Sequence, residues 1–131
     1  INSVLIPHMC TSGEGHIVHV SSISGILLRG NPLYAAAKSY LNAYVTATGR
    51  ALAQQGVIIN AVMPGAVAFN GNPWEKNKID NPQKCDDFLR HHQAVGRFGT
   101  PQEIAEVISF LASEKASFMQ AALVPVDGGN M

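Results

Sequence analysis

The sequence predicts an α/β fold, a parallel sheet with helices on both faces. Three observations carry the prediction. Ile17-Val18-His19-Val20, Val57-Ile58-Ile59-Asn60-Ala61-Val62 and Leu123-Val124-Pro125-Val126 read as short strands, and the first shows the weak alternation of a parallel strand covered on both sides. Each run stops on turn-forming residues: Ser21-Ser22, Pro64-Gly65 and Asp127-Gly128-Gly129. Segments of helical character lie between the runs, and strands that alternate with helices pack as parallel sheets.

The elements follow in order. Residues 1–11 read as the tail of a helix, and Thr11-Ser12-Gly13-Glu14-Gly15 as a turn. After the first strand, Asn31-Pro32 opens a helix, with Asn as cap and Pro at the first helical position. Leu41, Val45, Thr48 and Leu52 recur on one face through to Gln55, and Gly56 stops the helix. The second strand follows, and Asn60 within it is expected to bond backbone near the Pro64-Gly65 turn. A polar stretch at about 70–95, broken by Pro73 and Pro82 and without strong periodicity, reads as a lid anchored by Trp74 and Phe88. Those two aromatics either line a pocket or pin the lid. Thr100-Pro101-Gln102-Glu103 is a capping box, with Ile104, Val107, Ile108 and Leu111 as its buried stripe. Three strands alone leave the first with an unpaired apolar edge, a feature native sheets avoid.

Composition narrows the class. The 131 residues suffice for one domain at most, and 47% are hydrophobic. Only 14% are charged, against about 25% in average soluble domains, which implies that part of the surface is covered. A net charge of zero argues against nucleic-acid or anionic-membrane partners. Cys10 and Cys85 share no ligand spacing and read as free thiols of a reducing cytoplasm. His16 and His19 fall on opposite faces of a strand, and no metal site is expected. His91 and His92 read as solvated lid residues. The chain opens on Ile1 inside an element with no basic leader region, as a portion of a longer protein would.

The chemistry-bearing pattern is Tyr34-Ala35-Ala36-Ala37-Lys38, with Ser22 twelve residues upstream. Residues four apart share a helical face, so the phenol and ammonium are neighbours. A positive charge beside a phenol favours the phenolate and fits it for proton exchange near neutral pH. A serine hydroxyl at a strand end can hold the same substrate oxygen. Ser24 is a candidate to line the substrate site, and Ser21 reads as a strand-end hydrogen-bond former.

These residues, with Ile59-Asn60-Ala61-Val62-Met63-Pro64-Gly65, Gly96-Arg97-Phe98-Gly99-Thr100-Pro101-Gln102-Glu103 and Val126-Asp127-Gly128-Gly129, resemble the short-chain dehydrogenase/reductase family in its non-extended branch, close to the 3-oxoacyl-carrier-protein reductase type. The resemblance covers the whole chain but only the C-terminal half of the family's fold. It implies that residues 1–131 are the C-terminal portion of one NAD(P)-binding, Rossmann-type, doubly wound domain. It implies an oxidoreductase that interconverts an alcohol and a carbonyl with NAD or NADP, with Ser22, Tyr34 and Lys38 catalytic. Tyr34, Lys38, Pro64, Gly65 and Val67 would touch the cofactor, and Ser22, Ser24 and Tyr34 the substrate. The partners implied are a small carbonyl or alcohol, the N-terminal half of the fold and further copies in a homodimer or homotetramer.

Three departures stand out. The Gly-rich pyrophosphate loop is absent from this stretch. The family's asparagine would lie upstream of Ile1, since Asn2 is too close to Ser22. The family's threonine after Pro-Gly is Phe69 here, leaving the backbone of Val67 to bond the nicotinamide amide. Two alternatives stay open: an inactive fragment or pseudoenzyme kept for assembly, and the sugar-nucleotide epimerase/dehydratase branch.

Overall fold

The computed structural model describes residues 2–130. Helix α1 (Asn2–Ser12) leads into β1 (Gly15–Val20), a short helix α2 (Ser24–Leu27), and the long α3 (Pro32–Leu52). Then come β2 (Val57–Pro64), α4 (Pro73–Asp80), α5 (Pro82–His92), α6 (Pro101–Leu111) and β3 (Leu123–Val126). The three strands form one parallel sheet in the order β1-β2-β3.

The central strand is the best buried. Val57, Ile59, Ala61 and Val62 are all fully inaccessible, whereas β1 at the edge is half-buried along most of its length. Alternation along β2 divides the core. Val57, Ile59 and Ala61 meet Val45 of α3, with Ile6 and Met9 of α1 packed alongside. Val62 meets Ile104 and Leu111 of α6 on the other face. Helices therefore cover both faces, and burying one such aliphatic side chain is worth about 1.5–3 kcal/mol.

Local chemistry fixes the helix ends. Asn31 Oδ1 accepts the N–H groups of Leu33 and Tyr34 at 2.9 and 3.2 Å, which starts α3 where the Asn-Pro pair predicts. A single 3₁₀ turn (Ala53–Gln55) finishes that helix at Gly56, whose φ of 74° suits glycine. The Thr100–Glu103 capping box is present in both directions: Thr100 Oγ1 accepts from the Glu103 N–H at 3.3 Å, and Glu103 Oε2 accepts from the Thr100 N–H at 2.9 Å.

Three sequence expectations are corrected. The polar stretch, read as lacking strong periodicity, forms two helices, because Asn72 and Asn81 each cap a helix that opens on proline. The turn after α1 is shorter than expected, since the helix runs to Ser12. Fully buried Asn60 serves the approach to β3 rather than the Pro64-Gly65 turn: its Nδ2 donates to Met119 O at 2.7 Å and its Oδ1 accepts from Ala122 N at 2.8 Å.

Candidate active site

All three strands run parallel, so Ser22, Gly65 and Asp127 follow their C-terminal ends at one edge of the sheet, where open α/β sheets place ligands. The ladder continues past β1. Ser21 N donates to Val62 O at 2.8 Å and Ile23 N to Pro64 O at 3.2 Å, so the sheet itself sets the position of Ser22. Ser22 is buried, and its Oγ accepts the Ser24 N–H at 3.1 Å. That bond orients the hydroxyl and leaves its proton available for donation.

Ser21 ties this strand end to α3. Its hydroxyl donates to Asn42 Oδ1 at 2.5 Å and lies 3.4 Å from Lys38 O. Gly25 packs against the same turn of α3. A Cβ there would lie 2.7 Å from the Lys38 carbonyl carbon, so any larger residue would push α2 off the helix. Ser39 adds a bond from its Oγ to Gly25 O at 2.8 Å.

Tyr34 and Lys38 meet as their spacing predicts, with the Lys38 ammonium 5.6 Å from the Tyr34 ring centroid. The same ammonium donates to Val20 O at 2.9 Å, two residues before Ser22. One cation thus faces both the phenol and the strand end that carries the serine. Half of the Tyr34 surface is exposed.

A cavity of about 360 Å³ opens beside this strand end. Ser22, Ser24 and Gly65 line it, as do Trp74 of α4 and Phe88 and His92 of α5; Tyr34 and Lys38 are not in its lining. Trp74 and Phe88 both line the cavity and hold α4 against α5, with ring centroids 4.3 Å apart. Buried Phe98 braces them, 5.0 Å from Trp74 and 6.2 Å from Phe88.

Sequence reasoning misses His92 and Asn130, which also line this cavity. The solvated reading holds for His91, which is exposed and bonds Asp87 O at 2.7 Å through Nδ1, but not for His92, whose ring lies 5.2 Å from Phe88. The spacing Cys85, Phe88, Leu89, His92 is a helical stripe that reveals this face of α5.

Val67 lies beside a second cavity of about 180 Å³, with Arg97, Glu103 and Asp127 in the same lining. Gly99 takes the Ala66 carbonyl and the Ala68 N–H, so the peptide groups of Val67 face the opposite edge. There Asn72 Nδ2 donates to Val67 O at 2.6 Å. At the rim Arg97 grips Glu103 through both guanidinium nitrogens, at 2.6 and 3.0 Å. That hydrogen bonding, with the Thr100 N–H, pulls the Glu103 carboxyl down to about 2. Phe69 is half-exposed, and Pro64 closes β2.

A family model described as enoyl-(acyl carrier protein) reductase matches residues 3–130. The chain belongs to the short-chain dehydrogenase/reductase family. It is 34% identical over 132 residues to the 3-oxoacyl-[acyl-carrier-protein] reductase FabG of Thermotoga maritima, covering 98% of this chain and 50% of that one. It is 34% identical over 124 residues to levodione reductase of Leifsonia aquatica, covering 92% and 46%. Among solved structures, a 3-oxoacyl (acyl-carrier-protein) reductase of Agrobacterium tumefaciens with NADP bound superposes with a TM-score of 0.90 at 28% identity, over 98% of this chain and 49% of that one. The chain thus spans about half the length of the curated relatives it matches, and its sheet with helices on both faces is the corresponding half of the family's Rossmann-type fold.

Proposed function

We propose that this chain supplies the catalytic portion of an NAD(P)-dependent oxidoreductase that interconverts an alcohol and a carbonyl, with Tyr34 as general acid and base. The observation that carries the reading is the Lys38 ammonium, which faces the Tyr34 ring while bonding the strand end two residues before Ser22. Tyr34, with the Lys38 ammonium over its ring, exchanges a proton with the substrate oxygen. Ser22, oriented by the Ser24 N–H, donates its own proton to that oxygen, and the bond strengthens as negative charge develops there. Ser24 and Gly65 shape the wall beside it.

The residues present fit a nicotinamide cofactor in part. An ammonium carries three donors, and Lys38 uses one on Val20 O, which leaves donors for ribose hydroxyls. The Val67 N–H is turned away from Gly99 and suits a carboxamide oxygen, whereas the Val67 carbonyl is already taken by Asn72. Pro64 and Gly65 bring the backbone close to the end of β3, where a Cβ on Gly65 would lie 2.7 Å from Asp127 Cα. When bound, the nicotinamide gives or takes the hydride. The relatives agree: one solved structure holds NADP, and a relative is named an NAD(+)-dependent 2-dehydro-3-deoxy-L-rhamnonate dehydrogenase.

On this reading residues 1–131 are one portion of a single domain, with α4 and α5 as its substrate lid at about 70–95. An N-terminal half completes the cofactor site, and further copies form a dimer or tetramer. Tyr34→Phe in the intact protein tests the reading, since it removes one exposed hydroxyl. Turnover should fall about 10²–10⁴-fold with an unchanged circular dichroism spectrum. Turnover like that of the wild type would remove Tyr34 from the chemistry.

A further inference from the structure

Resting on the oxidoreductase reading, we propose that the Trp74–Phe88 wall makes this site selective for a ring-bearing ketone or secondary alcohol over an open-chain one. The cavity of about 360 Å³ is open on one side, and the aromatic pair forms part of its fixed wall. Ser22 and Ser24 supply polar groups for the reacting oxygen, Arg29, His92 and Asn130 also line the cavity, and Ile23 and Leu27 add apolar surface to the aromatic pair. The wall is rigid. Trp74 and Phe88 are tilted by 39° at 4.3 Å, and the buried Phe98 ring lies parallel to Phe88 within 4°.

A fixed aromatic surface rewards a ligand that is already rigid. A ring meets it with many simultaneous dispersion contacts and little conformational freedom to lose. An open chain of equal carbon count offers similar area but must be immobilised bond by bond. Trp74 and Phe88 are therefore specificity-determining residues, acting on the body of the substrate while Ser22 holds the oxygen.

The test compares cyclohexyl methyl ketone with methyl hexyl ketone, which share carbon count and reacting group, using the intact protein with NADH and NADPH. The kcat/KM for the ring ketone should exceed that for the open chain by about fivefold or more. The ratio should collapse toward unity in Trp74→Ala and survive in Trp74→Phe. Equal values in the wild type, or a ratio unmoved by Trp74→Ala, would overturn the proposal. Binding supplies a readout independent of turnover, since Trp74 emission, taken as wild type minus Trp74→Phe, reports on the wall. A saturable change at lower concentration of the ring ketone supports it, and a change that never saturates refutes it even if neither ketone turns over. Absence of turnover of any ketone or alcohol with either dinucleotide would instead sink the oxidoreductase reading, while the emission titration still judges the wall.

Discussion

His19 sits where a charge is costly. Burial lowers its pKa below the ordinary 6.5, the Asn2 amide nitrogen lies 3.0 Å from Nε2, and the Tyr44 ring packs edge-on at 5.8 Å. The neutral ring accepts from Asn2; a protonated ring would set one N–H against another. The unfolded chain then binds more protons than the folded one just below pH 6.5, so stability is full above that value and declines as pH falls through it. Denaturant midpoints of the intact protein from about pH 7.5 down to about pH 5 should show that decline, and His19→Gln should flatten it. A midpoint that rises on acidification would contradict the assignment. Glu103 does not confuse the result, because a carboxyl held near 2 stays ionised across this window. His16 is turned to the other face, with its Nε2 3.3 Å from Glu114, so the separation of the two histidines is readable from the period of two along a strand.

The approach to β3 carries a strained residue. Ala121 has a φ of 57°, a left-handed conformation that costs a residue with a Cβ about 1 kcal/mol or more, and its N–H is held there by Ile59 O at 2.9 Å. Ala121→Gly should therefore stabilise the intact protein by about 1 kcal/mol, seen as a higher denaturant midpoint at unchanged slope; a lower midpoint would show that the Ala121 methyl packing against Gly49 matters more. The strands, α3 and α6 are readable in the sequence because each shows its apolar residues to the core at regular spacing and has a plain start or stop. The lid helices are harder. Asn72-Pro73 and Asn81-Pro82 repeat the start signal of Asn31-Pro32, but Trp74 and Phe88 face a cavity rather than the sheet, so α4 offers no core stripe to follow. The short α2 rests on tertiary contact with α3, which no local pattern announces. Ser22, Tyr34 and Lys38 stand out as candidates by their spacing taken with the family resemblance of the segments around them, whereas the cavity wall needs three elements brought together in space.

Across the molecule, large apolar side chains remain at the surface, among them Leu33 and Tyr40 of α3 and the fully exposed Phe118. With charged residues at 14% and a length about half that of the relatives, this is the surface expected of a chain covered by the rest of its fold and by further copies, as proposed above. Among the described residues no helix is long and apolar enough to cross a membrane. One side chain joins the two halves of the ligand region. Asn72 accepts the Glu75 N–H through Oδ1, which starts α4, and donates from Nδ2 to Val67 O. Asn72→Asp keeps the acceptor and deletes the donor. The helicity of α4 should survive that exchange, while the denaturant midpoint of the intact protein should fall by the equivalent of about 1 kcal/mol; an unchanged midpoint would show that the Asn72–Val67 bond carries no weight. The asparagine is then a rivet, a single amide that fastens the loop leaving β2 to the first turn of α4.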